Sequence, residues 1–198
     1  MHRRMPASGI APCLRSVNAV MNDPDTDVML RRVAADDPEL AELIRLSDEY
    51  MSALYPAESN HLESPAALAA PNVTILGAYV GDRLAASVAA KTMDDDGVYA
   101  EIKRLFVLDA FRGRGLAKRL MDHLEADLSN RDIPLARLET GILQPEALGF
   151  YEQRGYAYRP PFASYRLDPW SVFMEKRISP PAGGPGRDAG AGQPDAGH

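Results

Sequence analysis

Residues 101–119, EIKRLFVLDAFRGRGLAKR, constrain this chain more than any other stretch. They begin as a strand. Tyr99, Ile102, Leu105, Phe106 and Val107 are the aromatic, β-branched or apolar positions of a run over residues 97–108. They end as a helix. Leu116, Leu120, Leu124 and Leu128 recur at every fourth position, with Ala117 and Met121 beside them, so one face is apolar. Between the two lies Asp109-Ala110-Phe111-Arg112-Gly113-Arg114-Gly115. A Gly-rich turn running into a helix start leaves backbone N–H groups unpaired at the positive end of the helix dipole. Such a turn is a phosphate site by construction. Arg112, Arg114, Lys118 and Arg119 add positive charge to it, in a chain whose net charge is −6.

The spacing narrows the ligand. A dinucleotide fingerprint asks for G-x-G-x-x-G, and the third position here is Lys118. G-x-x-x-x-G-K-[ST] is absent. R-x-x-G-x-A does fit, as Arg112-Gly113-Arg114-Gly115-Leu116-Ala117. By itself that string is compatible with a plain Gly turn carrying solvated arginines. Preceded by Glu-Ile-Lys-Arg-Leu-Phe-Val and followed by an amphipathic helix, it resembles the acyl-CoA pyrophosphate loop of the GNAT superfamily of N-acetyltransferases.

The remaining elements follow in order. Residues 28–33 read as a strand. Asp36 or Asp37 caps a helix with Pro38 at its first position and Leu40, Leu43, Ile44 and Leu46 as its buried stripe. A second helical piece covers residues 49–54, until Pro56 stops it, and a short helix follows Ser64. Residues 73–80 and 83–93 are strands joined at Gly81-Asp82, and Asp94-Asp95-Asp96-Gly97 turns the chain into the strand described above. The long helix spans about residues 113–130. Residues 135–140 form a strand, Gln144-Pro145 opens a helix that Gly155 closes, and residues 156–158 and 171–178 are the last strands. The order β-α-α-β-β-β-α-β-α-β-β predicts a mixed α/β sandwich, with a mostly antiparallel sheet flanked by helices. It is also the order of the GNAT fold.

The resemblance runs over residues 28–178. Its second specific segment is Leu138-Glu139-Thr140-Gly141 followed by Gln144-Pro145-Glu146-Ala147-Leu148-Gly149-Phe150-Tyr151-Glu152-Gln153-Arg154-Gly155-Tyr156, similar to the family's L-E-T-x…A-x-x-x-Y-x-x-x-G-[FY] pattern. The ending Asp168-Pro169…Ser171-Val172-Phe173-Met174-Glu175-Lys176 looks like a subgroup acting on small molecules.

The resemblance implies a division of labour. Acetyl-CoA is the cosubstrate. Its pantetheine arm runs along Leu105, Phe106 and Val107 as an added strand, in a gap beside residues 135–140. Its pyrophosphate lies on Arg112, Gly113, Arg114, Gly115, Leu116 and Ala117, and Thr140 and Gln144 complete the cofactor-binding set. A strand N–H near Phe106 donates to the thioester oxygen. Tyr151 protonates the leaving thiolate, with a packed core tyrosine as the alternative. A primary amine is almost wholly charged at neutral pH, so a base is needed. Glu101 is the candidate, sharing a face with Lys103 and Leu105 if the strand is regular. The alternative is a Glu101–Lys103 surface pair, and Glu139 is a second candidate base. Tyr55, Glu58, His61 and Tyr165, with Trp170, are expected around the acceptor pocket, with a solvated loop histidine as the alternative for His61.

Composition bounds the rest. An acidic chain is poorly suited to nucleic acid, which is bound by Lys and Arg. The single cysteine, Cys13, allows no internal disulfide. No apolar run approaches the ~18 residues of a membrane helix. No H-E-x-x-H, paired Cys or His–carboxylate spacing points to a metal. Residues 1–27 are expected to be a disordered leader, with Met21 or Met29 as alternative starts. Residues 179–198, rich in Pro, Gly, Ala and Asp, are expected to be a disordered tail. Cytoplasmic residence and a homodimer complete the expectation. The function implied is acetyl transfer from acetyl-CoA to a primary amine of a small metabolite. A non-catalytic CoA-binding module and a protein lysine or N-terminal acetyltransferase are the alternatives.

Overall fold

The computed structural model describes residues 28–59 and 64–179. The expected leader over residues 1–27, His61 and the tail from residue 180 onward lie outside the described residues. Strands β1 (Val28–Arg32), β2 (Val73–Val80), β3 (Arg83–Met93), β4 (Tyr99–Val107), β5 (Leu135–Gly141), β6 (Ala157–Arg159) and β7 (Ser171–Arg177) form one sheet in the order β1-β2-β3-β4-β5-β7-β6. Helices α1 (Pro38–Leu54), α2 (Pro65–Leu68), α3 (Leu116–Asn130) and α4 (Pro145–Gln153) flank it. The element order is the one expected from the sequence.

Period decides which helix covers which face. In α3 the four-residue leucine repeat buries Leu116, Leu120, Leu124 and Leu128, with Met121, against Leu76, Val88, Ala100, Ile102 and Leu138 on one face of the sheet. Tyr151 of α4 joins the same cluster. On the other face α1 packs Leu40, Leu43 and Ile44 against Ile75, Tyr79, Leu84 and Ala89. Asp37 caps α1, its carboxylate accepting from the amides of Glu39 (2.8 Å) and Leu40 (3.4 Å).

Two helical expectations change. The helix opening at Pro38 and the piece over residues 49–54 are one unbroken helix of 17 residues, and its fourth buried position is Ser47 rather than Leu46. Positions 40, 43, 44 and 47 are the i, i+3, i+4, i+7 row, while Leu46 falls off it. Helix α3 begins at Leu116, not at residue 113, because Gly113 and Gly115 both have φ of 74°.

Strand β4 is irregular where the chemistry is expected. Ala89 of β3 faces Lys103, yet Ser87, two residues back, faces Phe106, three residues on. One extra residue is accommodated there, with Arg104 at φ 57°, a left-handed conformation rare for a side chain of that size. The bulge reverses the alternation beyond it. Leu105 and Val107 pack on the α3 face and Phe106 on the α1 face. The expectation that Leu105 shares a face with Glu101 and Lys103 is therefore corrected.

Among the described residues strands β4 and β5 are the one parallel pair of the sheet, and they pair only through Ala100–Ala136, Glu101–Arg137 and Ile102–Leu138. Past Ile102, β4 continues alongside β3, while residues 139–141 of β5 continue alongside β7. The two strands part, and a gap opens between them.

Candidate active site

The turn that carries the phosphate argument follows β4 directly. A short 3-10 turn, Asp109–Phe111, leads to Arg112, then to Gly113 and to Gly115, the N-cap of α3. The amides of residues 113–118 donate to no acceptor among the described residues. A Cβ built on either glycine meets nothing within 4 Å. What requires glycine within the protein is thus the positive φ, which disfavours other L-residues by roughly 1–2 kcal/mol. The flanking charges are partly matched locally. Arg112 pairs with Asp109 at 2.9 Å, Lys118 pairs with Asp122 at 2.7 Å, and the Arg114 guanidinium lies over the Phe111 ring at 5.6 Å.

A cleft of about 770 Å3 runs from this turn through the gap between β4 and β5. Glu101, Leu105, Phe106, Val107, Arg112, Gly113, Gly115, Leu116, Ala117, Thr140, Gln144, Tyr151 and Tyr165 all border it. Other expected members are elsewhere or undescribed. Arg114 is exposed and does not line the cleft. Of Glu58 only the backbone, in the turn Ala57–Ser59, is described, and His61 lies outside the described residues.

Tyr55 and Trp170 do not line the cleft either. Tyr55 is buried, meets the Trp170 ring edge-on at 6.4 Å, and its hydroxyl accepts from the Leu143 amide at 2.9 Å. A Cβ on Gly141 would stand 2.0 Å from that hydroxyl. Tyr55 therefore fixes the corner between β5 and α4 by filling the space that Gly141 leaves. Its expected role as a pocket wall is corrected to that of a support beneath one.

Glu101 is only 4% exposed and meets the side chains of Lys103 and Tyr165. Its Oε1 lies 3.1 Å from Lys103 Nζ and accepts from the Tyr165 hydroxyl at 2.7 Å, while that hydroxyl accepts from Lys103 Nζ at 2.9 Å. The Glu101–Lys103 pair exists, but it is a buried pair on the cleft wall and not a surface pair. Tyr165 comes from the excursion between β6 and β7, more than 60 residues away, so no local signal joined the three. The other candidate base, Glu139, also lines the cleft and accepts from Ser171 Oγ at 2.7 Å.

Tyr151 is 7% exposed, with its ring edge-on to Phe150 (5.4 Å) and Tyr156 (5.5 Å). Its hydroxyl makes no hydrogen bond among the described residues. Burial holds that hydroxyl above the usual phenol range. Residues 47, 50 and 51 of α1 also line the cleft, and Arg104 is tied to that helix by an ion pair with Asp48. Sequence reasoning did not single out these α1 positions, because nothing in α1 indicates which strand its exposed end will face.

Comparison with known proteins agrees with this geometry. The model of the acetyltransferase (GNAT) family matches residues 40–156. The IAA acetyltransferase of Azospirillum brasilense is 35% identical over 157 residues, covering 77% of this chain and 99% of that protein. An uncharacterized N-acetyltransferase of Bacillus subtilis, YsnE, is 32% identical over 151 residues, covering 74% and 99%. Among solved structures, a protein of Klebsiella pneumoniae provisionally assigned as an acyl-CoA N-acyltransferase superposes with a TM-score of 0.63 at 30% identity, over 76% of this chain and 97% of that one. The PaiA N-acetyltransferase of Thermoplasma acidophilum, solved in complex with coenzyme A, shares the fold with a TM-score of 0.62 at 20% identity, over 77% and 99%.

Proposed function

Since this chain belongs to the acetyltransferase (GNAT) family and is an acyltransferase, we propose that it moves an acetyl group from acetyl-CoA to a primary amine of a small metabolite, by direct attack in a ternary complex. The observation that carries the reading is the continuity of the cleft. An unpaired edge of β4 leads straight into a turn whose amides have no acceptor among the described residues.

Each part fits a piece of the cosubstrate. The amides of residues 113–118 suit a diphosphate, which needs several convergent donors. The free edge of β4 from Leu105 to Val107 suits an amide-bearing arm that pairs as a strand would. Gln144 and Thr140 border the same gap from the β5 side.

Acetyl-CoA is a substrate here and supplies the thioester. The nitrogen forms its bond to the acetyl carbon as the C–S bond breaks. The chain's own residues manage two protons. Glu101 takes one from the acceptor ammonium and the Tyr151 hydroxyl gives one to the departing sulfur; the second proton that the nitrogen sheds as the amide forms leaves to solvent, and solvent returns a proton to the tyrosinate. Tyr151 suits that task because its hydroxyl borders the cleft without a partner and stays protonated. Glu101 suits the other because it is held by two partners on the opposite side of the gap.

The test is thiol release from acetyl-CoA across a panel of amines, with CoA-dependent thermal protection measured alongside. Turnover that disappears in Tyr151→Phe while CoA still protects supports the assignment. CoA protection with no thiol release from any amine would instead favour a non-catalytic CoA-binding module.

A further inference from the structure

The two side chains that meet Glu101 meet the same oxygen. Lys103 Nζ lies 3.1 Å from Oε1, and the Tyr165 hydroxyl donates to Oε1 at 2.7 Å. Oε2 accepts no hydrogen bond among the described residues, yet it is not sealed from the surface. With Glu101 on the cleft wall, Oε2 opens to the cleft. We propose that Tyr165 is a positioning residue for the base, holding Oε1 so that Oε2 is presented to the acceptor ammonium. The inference rests on the N-acetyltransferase reading above and assigns the proton to one atom of Glu101.

Bonding is the first argument. Lysine can only donate and a carboxylate can only accept. The Tyr165 hydroxyl therefore accepts from Lys103 Nζ at 2.9 Å and donates to Glu101 Oε1. A hydrogen bond onto a charged oxygen is short and strong. The last torsion of a glutamate is broad, so an unheld carboxylate swings. A bond on one oxygen sets where the other points. A general base must stand within hydrogen-bond reach of the proton it takes, so that direction bears on the rate.

Support for Tyr165 itself is the second argument. Its ring packs on Phe162 at 5.2 Å and on Phe173 at 5.3 Å, and both of those are buried. Its amide donates to the Phe162 carbonyl at 3.0 Å, closing a turn in which Ala163 takes φ 50°. That left-handed conformation is disfavoured for alanine. Such strain persists where the surroundings impose it, and it clusters at functional sites. The turn delivers the hydroxyl from the excursion before β7 across to β4. Packing of the ring does not require the hydroxyl, so the two contributions can be separated by substitution.

The test compares two acceptors in the thiol-release assay at mildly alkaline pH. One is the best-used primary amine. The other is its β,β-difluorinated analogue, a far weaker base that is largely neutral there and needs no proton removed before attack. Tyr165→Phe keeps the ring and removes the hydroxyl. Its kcat/KM is expected to fall about tenfold with the first amine, a part of the roughly 10²–10⁴-fold that a general base contributes, and much less with the second. In a Glu101→Gln background Tyr165→Phe should add nothing, because it acts through Glu101. Tyr165→Met, read by the same ratio of amines, keeps the test decisive if Tyr165→Phe does not fold, and CoA thermal protection checks the fold of each variant. Equal falls with both amines, no fall at all, or a further fall in Glu101→Gln would overturn the positioning role and leave the N-acetyltransferase reading standing. A Glu101→Gln enzyme that treats the two amines as the unaltered enzyme does would remove Glu101 as the base, and the proposal with it. Absence of both CoA protection and thiol release with every acceptor would overturn the proposal and that reading together.

Discussion

At the scale of single residues, Tyr151 and Gly141 make opposite predictions. Tyr151 is buried as a residue and its hydroxyl, at the cleft, makes no hydrogen bond among the described residues, so its removal forfeits no pairing within the protein. Tyr151→Phe should leave Tm unchanged or slightly raised while lowering kcat on the order of 10²-fold or more, with CoA affinity intact. Calorimetry and a saturating rate assay separate those effects. A fall in Tm with unchanged kcat would identify a structural tyrosine. The proposed acid acts in its protonated form, and a raised pKa moves its loss to higher pH. The kcat profile should therefore show no Tyr151-dependent decline below about pH 10, the ordinary phenol value. Gly141→Ala, by contrast, drives a methyl group into the Tyr55 ring. It should destabilise by about 1–3 kcal/mol, read as a Tm fall of several degrees, and the loss should be non-additive with Tyr55→Ala.

At the scale of elements, the phosphate turn and the β4–β5 gap are the parts to probe. Gly115→Ala and Gly113→Ala each place a side chain at φ 74°, which disfavours the turn by about 1–2 kcal/mol. CoA binding should weaken by roughly tenfold, measured by titration calorimetry. Arg112→Ala and Lys118→Ala should matter less, because each cation already has an exposed carboxylate partner of small net value. Amides on the unpaired edge of β4 beyond Ile102 should exchange with solvent quickly alone and slowly with CoA. Hydrogen exchange that ignores CoA would argue against an added-strand arm.

Much of this scale was legible beforehand. Helix α3 was readable because its leucine repeat and its Gly-rich entry are both local. The bulge at Arg104 was not, because only the register against β3 shows that three residues face two. Helix α1 was read as two pieces, whereas the buried row through Ser47, with Leu46 off it, carries one helix on to Leu54. Lys103 and Tyr165 were separate candidates at most, since their meeting depends on a loop that returns across the sheet.

At the scale of the whole molecule, the sheet is two antiparallel halves, β1–β4 and β5-β7-β6, joined by three parallel residue pairs. Each half carries part of the proposed machinery. Glu101, Lys103 and the phosphate turn belong with the first half; Thr140, Tyr151 and Tyr165 follow from the second. Helix α1 and the residue that follows it touch both, through Arg104–Asp48 on one side and the Tyr55 hydroxyl beneath Leu143 on the other.

So short a seam leaves two plates that share one core but no backbone ladder past Ile102. Anything lodged between the plates past Ile102 becomes their rivet. Donor occupancy would then set the alignment of the acid on one plate with the ion pair on the other.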